Sequence, residues 1–153
     1  MAEKINQYRV NRLKRHELVK YFKEHVTKHV PFRSYLFKVH TELKVFKKIY
    51  TNEGPAVASM IIPVGAEIHA TPDQWGRIDG RKMRASKAKV VRIFKTRTLK
   101  DATSGHSGWT TGNFKYRTRR TVYPTHPFYR NYGHCESGIH FFLQVNDALD
   151  WQS

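Results

Sequence analysis

One cysteine, Cys135, stands in the whole chain of 153 residues, so no disulfide can form within it and nothing argues for an oxidising compartment. Acidic residues are scarce as well, 12 against 28 Lys and Arg, for a formal net charge of +16. Self-repulsion of that size is normally tolerated where something anionic lies close by. The expected partner is therefore nucleic acid, an anionic membrane surface or acidic protein. Long apolar runs are also missing. No window approaches the ~18 apolar residues needed to span a bilayer, and the opening MAEKINQYRVNRLKRH lacks the apolar centre of a signal peptide. An intracellular protein, soluble or peripheral to a membrane, is the expectation. Enzyme signatures are absent too. GRIDGRKMRASK holds glycines and lysines but not the order of a phosphate-cradling loop, and there is no HExxH, no GxSxG and no carboxylate pair set up for acid-base work.

What is present is enough apolar material for one domain: 39% of the residues are hydrophobic and 13% aromatic, sufficient at this length to bury a core. The charge is unevenly spread. From Arg77 to Lys100 ten basic residues face one acid, Asp79, whereas Thr121 to Ser153 holds Arg130 against Glu136, Asp147 and Asp150. A conventional C-terminal segment thus closes a domain whose middle strands and N-terminal arm face an anion. No internal repeat and no low-complexity stretch appears.

Leu18, Tyr21, Phe22, His25, Val26 and His29 recur at the spacing that lines one face of an α-helix, which predicts a helix over about 12–29. Asn11 is placed to cap it and Pro31 to stop it. Its other face carries Arg12, Lys14, Arg15, Lys20, Lys23 and Lys28, a surface for phosphates or acidic protein, or simply for water. Residues 1–31 are accordingly expected as a basic helical arm and 32–153 as a single α+β domain.

Strand patterns follow. YLFKVHTELKVF alternates with a break near Thr41, and VASMIIPVGAEIH forms a β segment interrupted at Pro63 and Gly65. KAKVVRIF puts Ala88 and Val90, with Arg92, on one face and Lys89, Val91 and Ile93 on the other. FKYRTRRTVY and GIHFFL add two strands, and NDALDW is a short helix that Asn146 can cap. KDATSGHSGWTTGN, with no periodicity, is a surface loop or long hairpin tip. The expected fold is α+β: a small mixed, mostly antiparallel sheet with a basic amphipathic helix before it and a short helix after it.

The ten residues HCESGIHFFL invite a catalytic or metal reading. His134, Cys135 and His140, joined by His126 or His106, have irregular spacing and no CxxC frame, so no metal is expected. His134 and Cys135 are adjacent, and neighbours in a strand point to opposite faces, which makes them poor partners for a nucleophile and its base. The stretch reads best as a core strand in which Gly138 permits close approach.

Three segments, SMIIPVGAEIH (59–69), RKMRASKAKVVRIF (81–94) and CESGIHFFLQVNDALDW (135–151), resemble in order and spacing a small domain of unknown function often found C-terminal to pentapeptide repeats, in bacteria and large double-stranded DNA viruses. The resemblance runs from Tyr35 to Trp151, leaves the basic helix as an addition, and finds no pentapeptide repeats in this chain. It brings no activity that can be carried over residue by residue.

Taken with the charge, the viral branch of the resemblance implies a non-enzymatic structural component of a large DNA virus particle, of the minor capsid type. Such a protein is made in the host cytoplasm and resides in the virion, with other capsid or assembly proteins as its partners. The alternative is a sequence-nonspecific nucleic-acid-binding protein, and a second alternative is an enzyme built on Cys135 and His140. No cofactor and no small-molecule substrate is expected. The residues expected to meet an anion or partner are Arg12, Arg15, Lys20, Lys23, Arg84, Lys87, Lys89, Arg92, Arg97, Arg117, Arg119 and Arg120. Trp75, Trp109, Phe128, Tyr129 and Tyr132 are the aromatic docking candidates.

Overall fold

Leu18 and Phe22, one helical turn apart, are both buried and carry the first helix, α1 (Arg15–His25), into the core of the protein. The structure is a computed structural model and describes residues 13–28, 35–72, 78–108, 114–124 and 138–151. Asn11, Arg12 and His29 lie outside the described residues. Within them, α1 is shorter than its periodicity suggests. The side chain of Glu17 accepts the Lys14 N–H at 3.1 Å, closing the helix start. Val26 has left helical geometry (φ −130°, ψ 151°) to open a strand, β1 (Val26–Lys28). Two β-branched residues in succession, Val26 and Thr27, and a free strand edge at Val39 outcompete the last helical turn.

The strands that follow are β2 (Leu36–Val39), β3 (Leu43–Thr51), β4 (Gly54–Ile62), β5 (Glu67–Pro72), β6 (Ile78–Ala85), β7 (Ala88–Lys95), β8 (Asp101–Ala102), β9 (Ser104–His106), β10 (Lys115–Arg117), β11 (Thr121–Val122) and β12 (Ile139–Phe141), before the closing helix α2 (Val145–Asp150). The fold is α+β, mostly antiparallel sheet with a helix near each end. The strands divide into two sheets instead of one. The first runs β1-β2-β5-β6-β12, the second β10-β9-β3-β4-β7-β11 with β8 on β7. All pairings among the described strands are antiparallel.

Within the described residues the chain passes between the sheets at three corners: His40–Glu42 joins β2 to β3, Pro63–Ala66 joins β4 to β5, and Ser86–Lys87 joins β6 to β7. Strands that switch sheets at corners are one solution for packing two twisted sheets on a shared core. The corners are tied together. The Gly65 N–H donates to the Val39 carbonyl and the Val39 N–H to that of Ala66, each at 2.9 Å, and Glu67 and Ser86 exchange a backbone bond and a bond to the Ser86 hydroxyl, both 2.9 Å. Gly65, at φ +90°, supplies the left-handed residue that the second corner needs. His25 clamps the first corner: its carbonyl accepts from the N–H of His40 and Thr41, and its Nδ1 donates to the Glu42 carbonyl at 2.9 Å.

Two expectations about side-chain direction change. In β7, Val91 has no partner in β4, since Arg92 opposes Ser59 and Val90 opposes Met60. That bulge resets the alternation, so Ile93 joins Ala88 and Val90 in the core while Val91 is 44% exposed. In α2 the residue before the first turn is Gln144, and Asn146 lies inside the helix, 2% exposed. The Gln144 side-chain oxygen instead accepts the Leu13 N–H, tying the segment that leads into α1 to the segment that leads into α2. FKYRTRRTVY is two short strands, β10 and β11, about a turn at 118–119. Of the glycine-rich segment before it, residues 109–113 lie outside the described residues, and Ser104–His106 forms β9, which pairs with β10.

Candidate functional site

The three segments that carry the family resemblance meet on adjacent strands. Ile68, Ala85 and Ile139 stand opposite one another across β5, β6 and β12, and so, one residue along, do His69, Arg84 and His140. Directly opposed residues share a face. The first row is buried in the core; in the second, His69 and Arg84 are each 2% exposed and His140 is half-buried. Gly138, at φ +129°, lets β12 press against β6: a Cβ there would stand 3.0 Å from the Arg84 Cβ and 3.3 Å from the Ala85 carbonyl oxygen. The close approach expected of this glycine is present.

Arg84 therefore does not lie on a phosphate-facing strand. KMRASKAKVVRIFKTR breaks at Ser86–Lys87, and its halves belong to different sheets. Lys87 sits half-buried in that corner. Arg92, half-buried, ion-pairs with Asp101 at 2.6 Å and lies over the Phe94 ring at 5.2 Å. Arg97 is exposed beside Gly54, and Arg15, Lys20 and Lys23 are exposed on the solvent side of α1. Arg12, Trp75, Trp109, Phe128, Tyr129 and Tyr132 lie outside the described residues, as do His134 and Cys135. Among the described residues no cluster of His, Cys, Asp and Glu could hold a metal ion.

The cations gather most clearly around β10 and β11. Lys115 and Arg117 alternate with Tyr116, which is buried, so both project to the exposed side. A turn closed by the Arg120 N–H on the Arg117 carbonyl (3.1 Å) leads to Arg119, held at φ +71°. Val90 pins this turn from both sides: its carbonyl accepts the Arg119 N–H at 2.8 Å and its N–H donates to the Arg120 carbonyl at 2.9 Å. Lys89 stands opposite Thr121, and in line across the same face come Ile61 and Lys44. Lys44, Lys89, Lys115, Arg117, Arg119 and Arg120 are all exposed, and none has an acidic partner among the described residues. Their fixed backbone makes this a preset basic strip. Lys44 and Lys115 were not singled out from the sequence; the K-Y-R alternation around the buried Tyr116 was the available signal.

One end of the strip opens on a groove. β8 pairs with β7, and one residue later β9 meets β3, so residues 101–106 bridge the two strands that flank β4. Beside this bridge lies a cavity of about 500 Å³ lined by Tyr50–Glu53, Lys95, residues 101–106, Lys115 and Arg117. Its acids are already engaged, Glu53 with Lys95 at 3.1 Å and Asp101 with Arg92. Tyr50 and His106 form a near-parallel offset pair in its wall, centroids 6.3 Å apart and planes 29° from one another. Neither was expected as a binding residue, because single aromatic residues separated by 56 positions leave no local pattern.

No curated protein and no solved structure matches the chain. A family pattern does, over residues 22–148, which takes in the last turn of α1, both sheets and most of α2. The chain belongs to that family, a family of unknown function designated DUF5758.

Proposed function

We propose that the protein is a non-enzymatic binding component of a large assembly, of the minor capsid type in a DNA virus particle, and that it seats a nucleic acid on the strip formed by Lys44, Lys89, Lys115, Arg117, Arg119 and Arg120. The observation that carries this reading is the strip itself: six exposed cations without acidic partners among the described residues, four of them on one short segment pinned to β7 by two backbone hydrogen bonds. Cations carried on a fixed backbone can neutralise phosphates and release counterions without a cost for ordering the segment that bears them. The viral setting rests on the sequence resemblance and the net charge of +16. Backbone contacts of this kind read no base edges, so sequence preference should be slight.

Binding to a labelled duplex of about 30 base pairs across a salt series tests the proposal, with log affinity expected to fall linearly in log salt by roughly 0.9 per phosphate neutralised. The double variant Arg119→Glu/Arg120→Glu should lower both affinity and slope. Weak binding at low salt would overturn the nucleic-acid partner and leave acidic assembly proteins as the destination of the charge. Antibody detection of the chain in purified particles tests the setting separately.

A further inference from the structure

Taking the nucleic-acid reading as its base, we infer that the groove beside β8 and β9 is a single-strand site, in which an unpaired base stacks on the Tyr50/His106 pair while Lys115 and Arg117 hold the phosphates to either side. The placement of groups makes the case. Lys115 stands directly opposite His106 across the β9–β10 pair, Arg117 opposite Ser104, and His106 opposite Tyr50 on β3. Opposed residues share a face, so two cations and two aromatic rings are presented together along one line of strands.

The rings are held in place. His106 Nδ1 donates to the Ser107 carbonyl at 3.0 Å, and Lys48 lies 5.9 Å over the Tyr50 ring. A ring already fixed loses little freedom when a base settles on it, and stacking of this type is indifferent to base identity. The two acids of the lining, Glu53 and Asp101, are neutralised by Lys95 and Arg92, which leaves Lys115 and Arg117 to set the sign of the groove. A volume near 500 Å³ suits a short stretch of strand, within the ~300–1,000 Å³ of ordinary ligand sites. A duplex keeps its bases stacked inside and offers only phosphate to a recessed ring pair. A single strand can turn a base into it.

His106→Ala removes the aromatic surface without removing a fixed charge, and His106→Phe restores it. Affinities of both variants and the parent chain are measured for a labelled poly-dT oligonucleotide and for a duplex of the same length, each over a salt series. The expected result is a loss of about 5- to 100-fold for the single strand in His106→Ala, recovery in His106→Phe, little change for the duplex, and an unaltered salt slope. Equal affinities of the parent for both forms together with an inert His106→Ala would overturn the single-strand site and leave the basic strip standing. Failure of the parent to bind either form would overturn the underlying reading itself. Far-ultraviolet circular dichroism and the urea midpoint of each variant show that it folds; a His106→Ala chain that unfolds is replaced by Lys115→Glu, for which the single strand should again lose more than the duplex.

Discussion

Lys47 is the residue most at odds with its surroundings. It shares a face of β3 with Leu43, Val45 and Ile49, which are all fully buried, and stands opposite Ala58 in β4. Burial, with the positive charge of Lys82 added, lowers its pKa from 10.5 to about 8. Below pH 8 the folded and unfolded chains both carry the proton, and the full cost of the buried charge is present. Between about 8 and 10.5 the unfolded state binds more protons, so this group makes stability rise with pH. Lys47→Met should therefore stabilise the protein at pH 7, by on the order of 1–3 kcal/mol, and remove that alkaline rise. Urea midpoints at neutral and alkaline pH for both chains check it. Tyr116 acts in the opposite sense: burial pushes its phenol well above its ordinary 10, so the unfolded state releases the proton first and stability falls beyond pH 10. The parent chain should thus pass through a maximum on the alkaline side, and the variant should only decline. Gly138→Ala is a different kind of residue-scale change. With φ at +129° and the Arg84 Cβ 3.0 Å from the new methyl, it should cost about 1–3 kcal/mol by thermal melting while leaving nucleic-acid affinity untouched.

The basic arm is an element of the core and of the surface at once. Phe22 meets the Phe37 ring edge-on with centroids 5.0 Å apart, and Leu18 and Val26 are buried beside it. Phe22→Ala should destabilise the whole protein by about 3–5 kcal/mol, seen as a single cooperative shift of the urea transition. A small local change with an unmoved transition would mean that the helix is only an appendage. Periodicity showed the helix and its inward face, because a 3.6-residue repeat is a property of neighbours in the chain. Its end was less legible: Val26 fits the helical stripe, but its pairing with Val39 lies 13 residues away and leaves no local mark. The same contrast holds through the sheets. The breaks near Thr41 and at Pro63–Gly65 were visible in turn chemistry, whereas the transfer of the chain from one sheet to the other was not. The separation of β6 from β7 was hidden as well, because nothing in KMRASKAKVVRIFKTR marks the corner at Ser86–Lys87. Of the candidate surface, Lys89, Arg117, Arg119 and Arg120 were legible as exposed cations in strand-like segments. Arg84 looked the same in sequence and is buried, since exposure depends on what covers a strand.

At the scale of the whole molecule, the charge of +16 must be counted against folding as well as for binding. The ion pairs Lys95–Glu53 and Arg92–Asp101 both involve well-exposed acids of the kind worth little in water. With 28 Lys and Arg against 12 acids, an excess of 16 cations has no acid in the chain to pair with and is balanced by solvent and counterions. Unfolding spreads those charges apart, so self-repulsion lowers the stability of the folded chain, and screening should restore it. Raising potassium chloride from about 0.01 to 0.15 M shortens the screening length from ~30 to ~8 Å, and the melting temperature of the free protein should climb by several degrees. A bound oligonucleotide should do the same at low salt by mass action, with the increment growing as its concentration passes the dissociation constant. The two effects then oppose one another: salt stabilises the free protein and weakens the complex, so melting curves taken with and without oligonucleotide should converge as salt rises. A melting temperature that falls with salt in the free protein would show that self-repulsion does not limit its stability, and that the attractive pairings within the fold outweigh the repulsion of the excess cations.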